Sequence, residues 1–113
     1  MPTDGIEYVY LETRNWGKTV KFWQELGFKL DLDLGNSGRL VHPRGGAALF
    51  INEVPEGRPL AQQIYLQVPD ASFRPRPPVE IARDWHASHW STRLMEVRDP
   101  DGRVHVLQHG HGE

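Results

Sequence analysis

The segment Phe22–Asp33, FWQELGFKLDLD, constrains the fold more than any other stretch of this chain. Trp16, Thr19, Val20, Trp23 and Leu26 fall at helical steps, so one face of a helix ends at Leu26. Asn15 offers the N-cap, and Gly27 supplies the stop, because glycine takes the left-handed conformation that closes a helix without steric cost. Lys18 at the third helical position rules out a capping box. Immediately afterwards the period changes from 3.6 to 2. Phe28, Leu30, Leu32 and Leu34 alternate with Lys29, Asp31 and Asp33, the pattern of a half-buried strand.

The flanking residues complete a βαβββ module. Ile6–Glu12 is rich in Tyr, Val and Leu and reads as the first strand. Gly35-Asn36-Ser37-Gly38 reads as a turn into a strand at Arg39–His42, and Pro43-Arg44-Gly45-Gly46 turns again into Ala47–Glu53. Glu53–Leu60 is a connection. Gln62–Val68 then opens a second module whose helix cannot follow. Only eight residues separate Asp70 from Val79, and Pro75, Pro77 and Pro78 permit no more than about one turn. Val79–Ala82, Thr92–Arg98 and Arg103–Gln108 read as three more strands, the last two joined by Asp99-Pro100-Asp101-Gly102. Ile64, Leu66 and Val68 should face the missing helix, so the Pro-rich loop or a second subunit must cover them. The fold expected is α+β: paired βαβββ modules, at about residues 4–54 and 61–109, in one domain forming a curved mixed sheet, the second helix shortened or lost.

Composition narrows the function classes. The 113 residues carry 13 basic and 15 acidic side chains without a long run of one sign, which argues against nucleic acid and acidic membranes as partners. There is no apolar run of about 18 residues and no signal-peptide pattern, so a soluble, cytoplasmic protein is expected. Zero cysteines exclude disulfides, thiolate catalysis and Cys-based metal sites. Four tryptophans exceed what packing usually requires in so short a chain and suit the gripping of flat ligands.

FWQELGF followed, in this order and spacing, by Glu96–Gln108 (EVRDPDGRVHVLQ) resembles the glyoxalase / bleomycin-resistance / extradiol-dioxygenase superfamily, the vicinal oxygen chelate group, over nearly the whole chain. VKFWQELGF, AALFINEV and Trp90 ahead of VRDPDGRVHV resemble most its bleomycin-resistance branch. That resemblance implies a small homodimeric protein that binds a cationic drug in clefts and catalyses nothing. Metal-using members take ligands from four strands, and the corresponding positions here are Tyr8, Phe50, Gln63 and Val106. None offers an imidazole or carboxylate, so the resemblance carries the fold over without a metal, and no cofactor is expected. A slip of one residue would bring in Glu7 or His105, but it would reverse the sheet face of every neighbour.

Alternation turns Tyr8, Tyr10, Ala48, Phe50, Gln63, Tyr65, Gln67, Val104 and Val106 to the concave side, and Val9, Leu11, Leu49 and Ile51 towards the helix. The ligand-binding residues expected are Tyr8, Tyr10, Phe50, Gln63, Tyr65, Gln67, Trp90 and Val106; the aromatics equally suit mutual packing or a dimer interface. Trp85-His86-Ala87-Ser88-His89-Trp90 reads as a loop over the cleft mouth, with His86 and His89 structural. His105, His109 and His111 read as a frayed tail, and His42 as a sheet-edge residue. Arg74-Pro75-Arg76-Pro77-Pro78 fits a PxxP ligand but is more simply a rigid connection. Asp31 and Asp33 read as a solvated strand face, and with Glu7 and Glu12 they are secondary candidates for attracting a cation. Two functions follow, beside a third, a metal-independent enzyme or regulatory subunit whose partner supplies the chemistry, to which no residue points. One is a non-enzymatic protein that sequesters an antibiotic-like aromatic or cationic molecule. The other is a metal-dependent lyase, isomerase or dioxygenase with displaced ligands drawn from His86, His89, His105 or Glu53.

Overall fold

The computed structural model describes residues 2–57, 59–98 and 100–110. Its elements run β1 (Ile6–Thr13), α1 (Trp16–Glu25), β2 (Lys29–Asp33), β3 (Ser37–Val41), β4 (Ala48–Glu53), β5 (Gln62–Gln67), β6 (Glu80–Ala87), β7 (Arg93–Arg98) and β8 (Val104–His109), an α+β fold. Asp99, in the last expected turn, and His111, in the tail, lie outside the described residues. Contacts group the chain into two units, Tyr8–Gln62 and Gln63–Glu113 with Met1–Glu7.

In the first unit the strands lie in the order β2-β3-β4-β1. β1 and β4 are parallel and the other pairs antiparallel. α1 begins as its sequence dictates: Asn15 Oδ1 accepts from the Lys18 N–H at 3.0 Å, and the Trp16 N–H donates to Glu53 Oε1 at 2.8 Å. A carboxylate there also complements the helix dipole. Gly27, at φ +97°, follows the C-cap Leu26. The helix buries Val20 against Leu40, Leu49 and Ile51, with Val9, Leu11, Trp16 and Trp23 packed around them. Ser37 and Gly38 belong to β3 rather than to the turn. Gly38 is needed for close approach: a Cβ there would collide with the Leu32 carbonyl oxygen and meet Trp16 Cη2 at 2.9 Å. The register of β2 shifts between Leu30 and Leu32 at that point.

In the second unit the order is β5-β8-β7-β6, with β5 and β8 parallel. Val68, Met95, Val97 and Leu107 form its buried cluster, and Leu66, Phe73, Ile81 and Trp85 pack against it. The second module's helix is replaced by the loop after β5, and Phe73 from that loop takes up part of its place. Trp85 Nε1–H donates to the Phe73 carbonyl at 2.9 Å and Arg74 Nη1–H to Asp84 Oδ1 at 2.7 Å, so two successive loop residues are tied to β6. Asp70 closes the start of the loop by accepting from the Ser72 N–H and hydroxyl, which lower its pKa. The N-terminal strand edge belongs here as well: the Asp4 N–H donates to the Gln67 carbonyl at 2.8 Å, and the Gln67 N–H to that of Gly5 at 3.2 Å.

Two further expectations are corrected. β6 runs to Ala87, so Trp85, His86 and Ala87 are strand and only the residues after them turn. Register shifts at Ile81/Arg83 and Arg83/His86 break the alternation by which a strand is recognised. His105 and His109 are not tail residues but lie in β8, where His109 Nδ1 sits 3.0 Å from the Val68 carbonyl oxygen.

Candidate functional site

The face of the first unit turned away from α1 gathers aromatic and polar side chains. Tyr8 pairs with Ala48 and Tyr10 with Phe50, while Val9, Leu11, Leu49 and Ile51 point to the helix side as alternation requires. The Tyr8 and Phe50 rings lie 6.1 Å apart at 46°. The Tyr10 hydroxyl donates to Glu12 Oε2 at 2.9 Å and accepts from Asn52 Nδ2 at 3.3 Å. Glu12 Oε1 also accepts the Ala61 N–H at 2.9 Å. Arg39 stands opposite Phe50 in the next strand and bonds Asp31 Oδ2 at 2.8 Å. This surface offers half-buried rings, a phenol fixed at its hydroxyl, and charges of both signs. Asn52 and Arg39 are additions to the residues expected. Asn52 was available from the alternation that selects Phe50, whereas Arg39 needs the β3–β4 register.

The corresponding face of the second unit is built on a buried polar hub. Tyr65 pairs with Val106, which pairs with Glu96; Gln67 pairs with Gln108, which pairs with Leu94. Gln108 is only 2% exposed. Its Oε1 accepts the Trp90 indole N–H at 2.8 Å and the Thr92 hydroxyl at 3.0 Å. Its Nε2 donates to Glu7 Oε1 at 3.1 Å. With its amide nitrogen turned towards Glu7, Gln67 donates to the same oxygen at 2.8 Å. The turn carrying Trp90 is laced by Ser88, whose Oγ accepts the Trp90 and Thr92 N–H groups at 3.2 and 3.0 Å. Trp90 thus has its polar edge fixed and its ring half-buried beside His89, at 4.8 Å. Tyr65 and Val106 are buried, and Gln63 and Gln67 half-buried. The hub glutamine and Thr92 were not singled out by the sequence. Of the four tryptophans, Trp16, Trp23 and Trp85 pack against cores, which leaves Trp90 for other work.

The donor set does not suit a resident metal. Tyr8, Phe50, Gln63 and Val106 present a phenol, an arene, an amide and an alkyl group, where zinc, nickel or iron takes imidazole, carboxylate or thiolate. Among the described residues no three His, Cys, Asp or Glu side chains gather as a metal-holding group. The candidates for a displaced site have separate tasks: Glu53 caps α1, His86 Nδ1 lies 3.0 Å from the Asp84 carbonyl oxygen, His89 stacks edge-on to Trp90, and His105 sits within β8.

No protein-family model and no curated protein matches the sequence. Solved structures match by fold. Methylmalonyl-CoA epimerase from Mycobacterium tuberculosis aligns with a TM-score of 0.71 at 14% identity, over 97% of this chain and 90% of that one. A glyoxalase/bleomycin resistance protein/dioxygenase superfamily member from Vibrio splendidus 12B01 aligns with a TM-score of 0.66 at 14% identity, over 93% and 99%. NAD-dependent benzaldehyde dehydrogenase from Legionella pneumophila also gives 0.66, at 15% identity, over 92% and 98%. The chain therefore has the fold of the glyoxalase/bleomycin resistance/dioxygenase superfamily. Among the described residues no helix is long and apolar enough to cross a membrane.

Proposed function

We propose that this chain is a non-enzymatic binding protein that sequesters an antibiotic-like aromatic or cationic small molecule, without the superfamily's metal. The reading includes a single two-module domain acting in the cytoplasm as a homodimer, as in the bleomycin-resistance branch that the sequence resembles. Its ligand-binding residues are Tyr8, Tyr10 and Phe50 in the first unit and Gln63, Tyr65, Gln67, Trp90 and Val106 in the second. The observation that carries the reading is the first unit's open face. Tyr8 and Phe50, at two strand positions where metal-using relatives keep ligands, offer neither imidazole nor carboxylate, and on the same face the Tyr10 hydroxyl is bonded to Glu12. Rings bind a planar molecule through their faces, and the Glu12 carboxylate favours a cation, Asp31 being paired with Arg39.

The test is titration of the dialysed protein with bleomycin and with proflavine, a planar aromatic cation, followed by calorimetry. Saturable binding at one site per chain, weakened by about 1–3 kcal/mol in Tyr8→Ala and in Trp90→Ala, is the expected result. Affinity unchanged in both variants, or one divalent ion per chain surviving dialysis, would overturn it.

A further inference from the structure

The loop that replaces the second helix roofs its sheet without filling the space. Between them lies a pocket of about 640 Å³, open to solvent on one side. Leu66, Val97 and Leu107 form the sheet side and Phe73, Pro75 and Val79 the loop side, with Arg74 and Arg76 and the N-terminal Pro2 and Thr3 at the rest of the lining. This is the sheet face opposite Tyr65, Val106 and Gln108, so the space is separate from the surfaces described above.

Size and charge select the occupant. The volume falls within the roughly 300–1,000 Å³ typical of small-molecule pockets. The two arginines differ. Arg74 is neutralised by Asp84 at 2.7 Å, a bond that raises the arginine's pKa and lowers the aspartate's. The Arg76 side chain forms no ion pair or hydrogen bond with any described residue. An uncompensated guanidinium beside an apolar cavity matches a molecule with one anionic head and an apolar body, and the planar fork of arginine favours a carboxylate.

We propose that this cavity binds an amphiphilic monocarboxylate, its chain or aryl group against Leu66, Val97 and Leu107 and its carboxylate on Arg76. The tryptophan indoles report where such a ligand goes. The Trp85 indole N–H is bonded to the Phe73 carbonyl on this side of the sheet, and the Trp90 indole N–H to Gln108 on the other. The experiment follows both in proton–nitrogen correlation spectra of the full chain during titration with butanoate, hexanoate, octanoate and octanol. Affinity should rise about threefold to fourfold per methylene, with the Trp85 signal moving and the Trp90 signal still. Arg76→Gln should cost octanoate about tenfold or more and leave octanol unchanged. Val79→Trp, at an exposed lining position, should block both ligands. No octanoate binding at 10 mM would overturn the proposal. So would equal affinity for octanol and octanoate, movement of Trp90 instead of Trp85, or indifference to both substitutions.

Discussion

Gly38 is where a single methyl group would do most harm. Its strand passes against the Leu32 carbonyl and the Trp16 ring, and the obstructing carbonyl is backbone, which cannot swing aside. Gly38→Ala should cost about 2–3 kcal/mol in urea unfolding, the upper range for overpacking. Gly35 is a control of another kind: it sits at φ +97° with nothing within 4 Å of an added Cβ. Gly35→Ala therefore bears only backbone strain, roughly 1 kcal/mol. Equal costs for the two would contradict the close approach. Gln108 poses the same question in polar terms. Gln108→Leu strands the Trp90 indole and the Thr92 hydroxyl and removes one of the amides that hold Glu7. A loss of roughly 2–3 kcal/mol is expected, because buried groups left unsatisfied cost more than the bond itself is worth. Trp90→Phe removes one bond while Thr92 still serves Oε1, and should cost about 1 kcal/mol.

The loop between β5 and β6 does the work of an element. Phe73 enters the core, and the Arg74–Asp84 and Trp85–Phe73 bonds pin it to the strand. Asp84 has a pKa below its usual value, through the Arg74 hydrogen bond first and the Trp85 N–H second. Since the folded value is the lower one, the contribution is present above the unfolded pKa, near 4, and is lost as pH falls through the folded value. Exchange of the Trp85 indole N–H should therefore show an acid-induced opening step below about pH 4, absent in Asp84→Asn; an unchanged profile would detach the loop's closure from this pair. Such an element is legible in the sequence by exclusion: three prolines within eight residues forbid the helix, and the half-buried Leu66 and buried Val68 require a cover. α1 and β2 were legible because Gly27 separates two clean periods. The end of β6 was not, because two register shifts replace its alternation with successive pairs of half-buried and exposed residues. The sheet face of the candidate residues was legible where alternation alone decides, as at Tyr8, Tyr10 and Phe50. Gln108 and Arg39 became visible only with strand register, since an amide and a guanidinium in a strand read as surface.

At the scale of the whole molecule, fold and function separate. Structures named as an epimerase, a superfamily member and a dehydrogenase share this fold at 14–15% identity, so the architecture limits what the chain can do far less than its side chains do. Binding without a resident metal rests on donor chemistry, and donor chemistry has a thermodynamic signature. A resident ion present at about a thousand times its dissociation constant would add roughly 4 kcal/mol to folding stability. In a domain of this size that amounts to about 15 °C in Tm. Chelation would remove it. Thermal unfolding of the dialysed protein in EDTA, and again with zinc, nickel or manganese added, is expected to give transitions within about 1 °C of each other. The comparison separates structural from adventitious binding, because ions gathered by scattered surface histidines bind folded and unfolded chains alike and leave the midpoint where it was. A rise of ten degrees or more with one metal would require a ligand set that these strands do not display, and with it a reaction rather than simple capture.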